Sequence, residues 1–421
     1  MIYKREILEN IWKKIDSSEI LLLNGARQVG KTTLMKMIKN KLIYEKGVKP
    51  KNIFWYDLEQ VDDLSIWNKQ ISALNDLPIN DRNEKYYLFI DEFQRSNEIG
   101  STLKVIHDHY PHIKPIITGS ASWYLDIDES MAGRKEVFSI WPLNFSEFTE
   151  WNNDKKVKNH YQYCLKNIDI APKEIIEIVN YSYIKYATYG GYPKIVLSEE
   201  KEQKVKKLSE IINSYLTRDI KIWNYTANTL QVKNILILLA SQIGSLLQIS
   251  NLSNNSQLGR TMLINRLELL QNTFILHLIN PYFTNKIKEI AKAPKVYLID
   301  SGLSNSLLNT FFYEPKTKNF GHLVENVVAT ELLKTANVLD NIMFWRTVRG
   351  REVDLIKKHE NKLIPIEVKS GNIEKIPASI KSFIQKYNSK KAYILNWSII
   401  KEEEFAGCRI YFRPLWWAEN I

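Results

Sequence analysis

Apolar residues in the first third of the chain fall in short runs: residues 19–25 read EILLLNG, 52–59 NIFWYDLE, 86–92 YYLFIDE and 114–120 KPIITGS. Short apolar runs between polar or glycine punctuation suit strands buried on both faces, and the stretches between them have helical period. Strand and helix in alternation predict a parallel sheet, hence an α/β domain over residues 1–150. From 151 to 225 the pattern becomes helical and lysine-rich, broken by Gly190-Gly191-Tyr192-Pro193, a strong turn signal. A small helical subdomain is expected there.

Residues 226–314 show a different order. QVKNILILLASQIG, ISNLSNNSQ and GRTMLINRLELLQNTFIL read as three helices, and HLINPYF and KVYLID as two strands. Gly259 is expected to open the third helix, with Leu263, Leu267, Leu270 and Phe274 as its apolar stripe. Three helices followed by a β-ribbon is the order of a winged helix-turn-helix. Residues 315–421 then predict a helix near Gly321, strands FWRTV, EVDLIKK and LIPIEVKS, a further helix and strand, and a core-plugging aromatic tail, Phe412 to Trp417.

The length of 421 residues accommodates these segments at roughly 100 to 200 residues per domain. With 44% hydrophobic and 25% charged residues, disorder is excluded. Lys and Arg number 58 against 47 Asp and Glu, and the net charge of +11 favours anionic partners. That inference is discounted by the general abundance of Lys, Asn and Ile. Cys164 and Cys408 stand far apart without a C-x-x-C, so a zinc site or disulfide framework is not expected. The amino-terminal stretch has no continuous apolar core, and the longest apolar runs fall far short of the ~18 to 20 residues that span a bilayer. A cytoplasmic protein with no membrane association is expected.

Gly25-Ala26-Arg27-Gln28-Val29-Gly30-Lys31-Thr32 fits G-x-x-x-x-G-K-[ST] and continues into Thr33. Such a loop cradles phosphates with backbone N–H groups, reaches the β/γ-phosphates with its lysine and holds magnesium with its hydroxyl. Its place between a strand and a helix sets the phosphate at a helix N-terminus. Arg27 reads as a brace for the loop. Asp91 and Glu92 end an apolar strand: Asp91 is placed to hold Mg²⁺ with Thr32, and Glu92 to orient or deprotonate an attacking water. Ser120 reads either as a γ-phosphate sensor or as an N-cap, and Arg134 either as an arginine finger acting on a neighbouring subunit or as a surface ion-pair residue.

Asp354, Glu367 and Lys369 lie on two strands joined by a polar turn near residues 359–362. Period two puts Glu367 and Lys369 on one face, and a hairpin brings Asp354 beside them, with Glu325 on the preceding helix as a further acid. Asp354 and Glu367 could then hold Mg²⁺ against a scissile phosphate while Lys369 activates water. This set resembles the PD-(D/E)XK nuclease superfamily, either active or with its acids merely neutralised by Lys369 and Arg351. Arg260, Asn265 and Gln271 lie off the apolar stripe of the third helix and are candidates for phosphate or base contacts.

Together with Thr118-Gly119-Ser120, Ala132-Gly133-Arg134, Gly190-Gly191-Tyr192-Pro193 and Tyr215-Leu216-Thr217-Arg218-Asp219, these motifs resemble prokaryotic AAA-type ATPases with a carboxyl-terminal domain of unknown function. The resemblance runs essentially end to end. It implies a P-loop ATPase with a parallel sheet and helical subdomain, then a winged helix-turn-helix and an α/β restriction-endonuclease-like domain. It further implies ATP and Mg²⁺ as cofactors, with Lys31, Thr32, Asp91 and Glu92 in the nucleotide site. The expected function is ATP hydrolysis coupled to a DNA-binding, DNA-cleaving carboxyl-terminal half, with homo-oligomers through Arg134. The alternative is a nucleotide-gated scaffold with an inactive nuclease-like domain and a protein partner.

Overall fold

The computed structural model describes residues 4–69, 77, 79, 81–96, 98–119, 131–219, 229–284, 292–311 and 318–421, with residues 218, 219, 318 and 319 described by backbone alone. They pack into two compact units. The first draws on Met1–Trp141 and Asn272–Phe274, the second on Pro142–Ile220, Thr226–Gln271 and Ile275–Ile421.

In the first unit the order is α1 (Ile7–Trp12), β1 (Ile20–Gly25), α2 (Lys31–Tyr44), β2 (Ile53–Asp57), α3 (Val61–Trp67), β3 (Tyr86–Asp91), α4 (Ile99–His109), β4 (Ile113–Gly119) and β5 (Lys135–Ile140). The strands form one parallel sheet in the order β2-β3-β4-β1-β5. Strands β1, β3 and β4 are buried along their whole length, as their apolar runs require. Helix α2 buries Leu34, Met35, Ile38 and Leu42, a stripe of helical period. Strand β5 was not expected from the sequence. It is an edge strand, KEVFSI, that buries only Phe138 and Ile140, so it carries no continuous apolar run.

The second unit begins with α5 (Phe145–Trp151), α6 (Lys155–Asn167), α7 (Lys173–Tyr189), α8 (Pro193–Val196) and α9 (Lys201–Ser214). Its start at Pro142 lies before the boundary expected at 150. Phe145 accounts for the difference, because its ring packs edge-on against Tyr161 and Tyr183 and tilted against Tyr186, all from the helical layer. Helices α10 (Thr229–Ala240), α11 (Ile249–Ser256) and α12 (Arg260–Asn272) follow, then the antiparallel pair β6 (Leu276–Ile279) and β7 (Lys295–Leu298). Leu263, Leu267 and Leu270 are buried on α12. Phe274 does not share that stripe: the helix ends at Asn272, Phe274 has φ 56°, and its ring lies 4.7 Å from that of Trp141 in the first unit.

Helix α13 (Ser301–Leu308) leads to α14 (Lys318–Thr335), β8 (Asp340–Arg346), β9 (Glu352–His359), β10 (Lys362–Val368), α15 (Ala378–Tyr387), β11 (Lys391–Asn396), β12 (Lys401–Phe405) and β13 (Cys408–Pro414). Six strands make a mixed sheet in the order β12-β13-β11-β10-β9-β8. Strands β9 and β10 are the expected hairpin, turning through Glu360 at φ 51°. Strand β12, KEEEF, was not expected, because at the sheet edge its exposed charges hide the strand pattern. Phe412 and Trp416 are buried in the tail, and the Trp416 indole N–H donates to Asn180 Oδ1 at 2.8 Å.

The Gly-Gly-Tyr-Pro turn is built into this unit. Gly190 has φ 76° and ψ −172°, a region open in practice only to glycine, and an added Cβ would sit 2.1 Å from Asp300 Oδ1. Asp300 caps α13 by accepting from the Leu303 N–H at 3.1 Å and also accepts from the Gly191 N–H at 2.7 Å. Gly190→Ala therefore combines backbone strain of about 1–3 kcal/mol with loss of a cap worth about 0.5–2 kcal/mol. Thermal unfolding is expected to show a destabilisation of at least about 1.5 kcal/mol, and a variant melting within about 1 °C of wild type would refute the tight fit.

Candidate functional site

Strand β1 delivers the phosphate loop at its carboxyl end, and α2 begins at Lys31. Gly25 is required by close approach, since a Cβ there would lie 2.2 Å from the Ile140 carbonyl oxygen of β5. Gln28 and Gly30 take left-handed conformations, φ 64° and 97°, that curl the loop back on itself. Val29 is fully buried, Ala26 nearly so, and Arg27 partly, while Thr32 and Thr33 are exposed on the first turn of α2. Lys31 is buried, and its ammonium donates to the carbonyls of Gly25 at 3.0 Å and Ala26 at 2.9 Å. Its charge is thus already drawn inside the curve of the loop. A bracing arginine missed in the sequence is Arg5, which donates to the Val29 carbonyl and to that of Trp141, each at 2.9 Å.

Asp91 ends β3, one strand removed from β1, and β4 lies between them. Thr118 of β4 donates its hydroxyl proton to Asp91 and accepts from the Glu92 N–H at 3.1 Å. A Thr32 hydroxyl bond also reaches Asp91, so the two expected magnesium ligands adjoin. Burial pushes the Asp91 carboxyl up, and the charges of Glu92 and Asp57 add to that, against the two threonine bonds. An arriving cation would relieve this cost, so the donor set suits magnesium. Glu92 has φ 55°, and its Oε2 accepts from Gln94 Nε2 at 2.5 Å. Thr118 and Gln94 are site-adjacent residues that sequence reasoning missed; Gly119, whose added Cβ would strike the Phe93 ring at 2.3 Å, is the signal of that close approach. Ser120 lies outside the described residues.

Arg134 immediately precedes β5, and its carbonyl accepts from the Ile20 N–H at the start of β1, the end of the sheet opposite the phosphate loop. It cannot reach a phosphate bound to its own chain. Its guanidinium instead pairs twice with Asp108, at 2.8 and 3.1 Å, which holds the Asp108 carboxyl well below the usual range. This is the ion-pair alternative weighed above.

In the second unit, Ile366 of β10 pairs with Leu355 of β9, so Glu367 and Asp354 follow at the end of the ladder. Lys369 Nζ lies 2.7 Å from Glu367 and 3.6 Å from Asp354. Asp354 accepts from the Val368 N–H at 2.8 Å, and Glu367 from the Ser379 hydroxyl at 3.2 Å. Glu325 of α14 is adjacent but differently engaged: it accepts from Lys295 Nζ at 2.9 Å and the Tyr297 hydroxyl at 2.8 Å. Lys295 also pairs with Glu352 at 2.6 Å. Burial by itself would lower the Lys295 pKa, but Glu325, Asp354 and Glu352 outweigh it and hold the ammonium charged. Lys295, Tyr297 and Glu352 escaped the sequence reading, although a lysine opening the apolar strand KVYL was a visible irregularity. Among the described residues, no three or more His, Cys, Asp or Glu side chains gather closely enough to hold a metal ion. Asp354 and Glu367 offer two carboxylates, with Lys369 against both. On α12, Arg260 and Asn265 are exposed and Gln271 half-buried.

Burial, followed by the Asp354 charge, pushes the Glu367 pKa up to about 7; burial, partly offset by Lys295, does the same for Glu325. An acid whose folded pKa exceeds its unfolded value contributes stability that is complete below the unfolded pKa and is lost as pH rises through the folded one. For Glu367 that window runs from about 4.5 to about 7. In chelator, Glu367→Gln is therefore expected to flatten the fall in melting temperature of the wild-type protein between pH 5 and 8. An unchanged pH profile would contradict the assignment.

Comparison with known proteins bears on these sites unequally. Residues 17–149 match the family model of an AAA domain; residues 180–313 and 320–404 match two domains of unknown function, DUF8612 and DUF4143. An uncharacterized protein of Methanocaldococcus jannaschii is 28% identical over 83% of this chain and 74% of its own length. One from Haemophilus influenzae is 24% identical over 87% and 86%, respectively. Among solved structures, the Walker-type ATPase of Pyrococcus abyssi aligns at TM-score 0.44 and 14% identity, over 73% of this chain and 96% of that one. The Aeropyrum pernix ORC2 protein, in ADPNP-ADP complexes, aligns at 0.36 and 13%, over 72% and 90%. The match to the AAA-domain model, over residues 17–149, falls on the parallel sheet and phosphate loop of the first unit. Among the described residues no helix is long and apolar enough to cross a membrane.

Proposed function

We propose that the chain binds and hydrolyses ATP with Mg²⁺ at the loop of Gly25 to Thr33, and uses nucleotide state to control a DNA-binding, DNA-cleaving carboxyl-terminal half. The observation that carries the ATPase reading is the hydroxyl bridge of Thr118, which ties Asp91 to Glu92 beside Thr32. Thr32 and Asp91 would hold magnesium, which when bound would neutralise charge developing during transfer. Lys31 then exchanges its two carbonyl partners for phosphate oxygens. Glu92, steadied by Gln94, orients the attacking water and accepts its proton. In this reading Arg134 acts only on a neighbouring subunit's nucleotide, and only after leaving Asp108.

For the carboxyl-terminal half, the supporting observation is the convergence of Asp354, Glu367 and Lys369 at one end of a hairpin. Two carboxylates can hold magnesium while the ammonium positions water at a phosphodiester. The three helices and ribbon of residues 229–298 support a winged helix, with Arg260 and Asn265 turned to DNA. A second reading rests on the neutralisation of these acids: Lys369 pairs with Asp354 and Glu367, and Lys295 with Glu325 and Glu352. It makes the module an inactive nuclease-like scaffold for a protein partner. The deciding experiment incubates the purified chain with Mg²⁺-ATP and linear, circular and single-stranded DNA, comparing wild type with Lys31→Ala and Asp354→Ala.

A further inference from the structure

A cavity of about 600 Å³ opens in the helical layer of the second unit, apart from both sites above. Its apolar wall is Phe148, Tyr189 and Val196; its polar lining includes Asn152, Ser198, Lys185, Lys201 and Lys204. Tyr189 ends α7 immediately before the Gly-Gly-Tyr-Pro turn, and its ring faces Lys204 of α9. Lys201, Lys204 and Lys207 recur every three residues and so share one face of α9, while Lys185 reaches in from α7.

The cavity gathers Lys185, Lys201 and Lys204, with Lys204 Nζ 5.5 Å from the Tyr189 ring centroid and Lys185 Nζ 4.5 Å from that of Tyr181. Lys204 Nζ donates to the Ile195 carbonyl at 3.2 Å, and Lys207 Nζ to the Ser198 hydroxyl at 2.7 Å, both oxygens without formal charge. Burial, then the charges of Lys185 and Lys207, lowers the Lys204 pKa, so the lysines repel one another across the pocket. Two carboxylates also line the cavity and stay charged while accepting from neutral N–H groups, Asp154 from the Lys156 N–H at 3.0 Å and Glu199 from Asn153 Nδ2 at 3.0 Å, so the three lining lysines exceed them by one charge. A compact anion with several acceptor oxygens would relieve the repulsion and use the lysine and asparagine donors, while the apolar wall would take a carbon body.

We propose that this cavity binds a phosphate monoester, with the phosphoryl group between Lys185 and Lys204 and the organic portion against Phe148 and Val196. This does not depend on the activity proposed above. The monoester is either a free phosphorylated metabolite or the phosphorylated end of a nucleic-acid strand. The test uses the full chain carrying Lys31→Ala, which silences the phosphate loop, and measures binding by calorimetry. The probes are AMP, adenosine, and an oligothymidine with or without a 5′-phosphate. The phosphorylated member of one pair is expected to bind at least tenfold more tightly than its unphosphorylated control. Adding Lys185→Glu and Lys204→Gln is expected to remove that difference. If it appears with AMP the source is a free metabolite, and if only with the oligonucleotide, a strand end. Absence of any phosphate-dependent binding, or its survival in the lysine variant, overturns the proposal. Lys185 is exposed, so Lys185→Glu alone decides the matter if the Lys204 change impairs folding.

Discussion

Lys31→Ala is expected to lower the rate constant for Mg²⁺-ATP hydrolysis by at least about a hundredfold, the loss seen when one preorganised donor to transition-state charge is removed. The ammonium is buried and already aimed into the loop through Gly25 and Ala26. Loss of those bonds exposes two carbonyls at a cost of about 1–3 kcal/mol each when buried, so melting must be measured alongside activity. Glu92→Gln separates chemistry from binding. It keeps the size of the side chain and leaves Lys31 in place, so ATP affinity should stay within about threefold while hydrolysis falls by about 10²–10⁴. A Lys31→Ala protein that hydrolyses ATP at the wild-type rate would remove the loop from the mechanism.

Asp354→Ala is expected to abolish DNA nicking or cutting while leaving ATP hydrolysis unchanged, because Asp354 lies in the second unit and the phosphate loop in the first. Removing the carboxylate deletes one of two paired acids and also frees the Val368 N–H that it accepts. Asp354→Asn controls for the second effect, since an amide oxygen can still accept from Val368. Both variants should be inactive. With the Asp354 charge gone, Glu367 loses the charge that helps raise its pKa and Lys369 loses one that holds its own up, so the pair settles closer to a simple salt bridge. Cutting by either variant at the wild-type rate would sink the nuclease reading. A wild-type protein that cuts none of the three DNA forms would favour the scaffold with a protein partner.

What the sequence by itself determined are features whose geometry is local. A glycine-rich loop between an apolar strand and an amphipathic helix dictates its own curl, hence Gly30 at φ 97° and Lys31 at the start of α2. An apolar strand ending in Asp91-Glu92 needs only its own burial to place those acids at its end. Strand period and a short turn are enough to set Asp354 beside Glu367. Only the tertiary structure decided which distant residues complete these sites. Thr118 bridges Asp91 and Glu92 because β4 is inserted between β3 and β1, a strand order invisible in any one strand. Arg5, Lys295 and Glu352 likewise come from segments far from their partners in sequence. Charge state is decided there too. Whether Lys369 serves a reaction or merely neutralises its neighbours depends on burial and on the summed fields of Asp354, Glu367 and Glu325, which exist only once three separate segments have packed together.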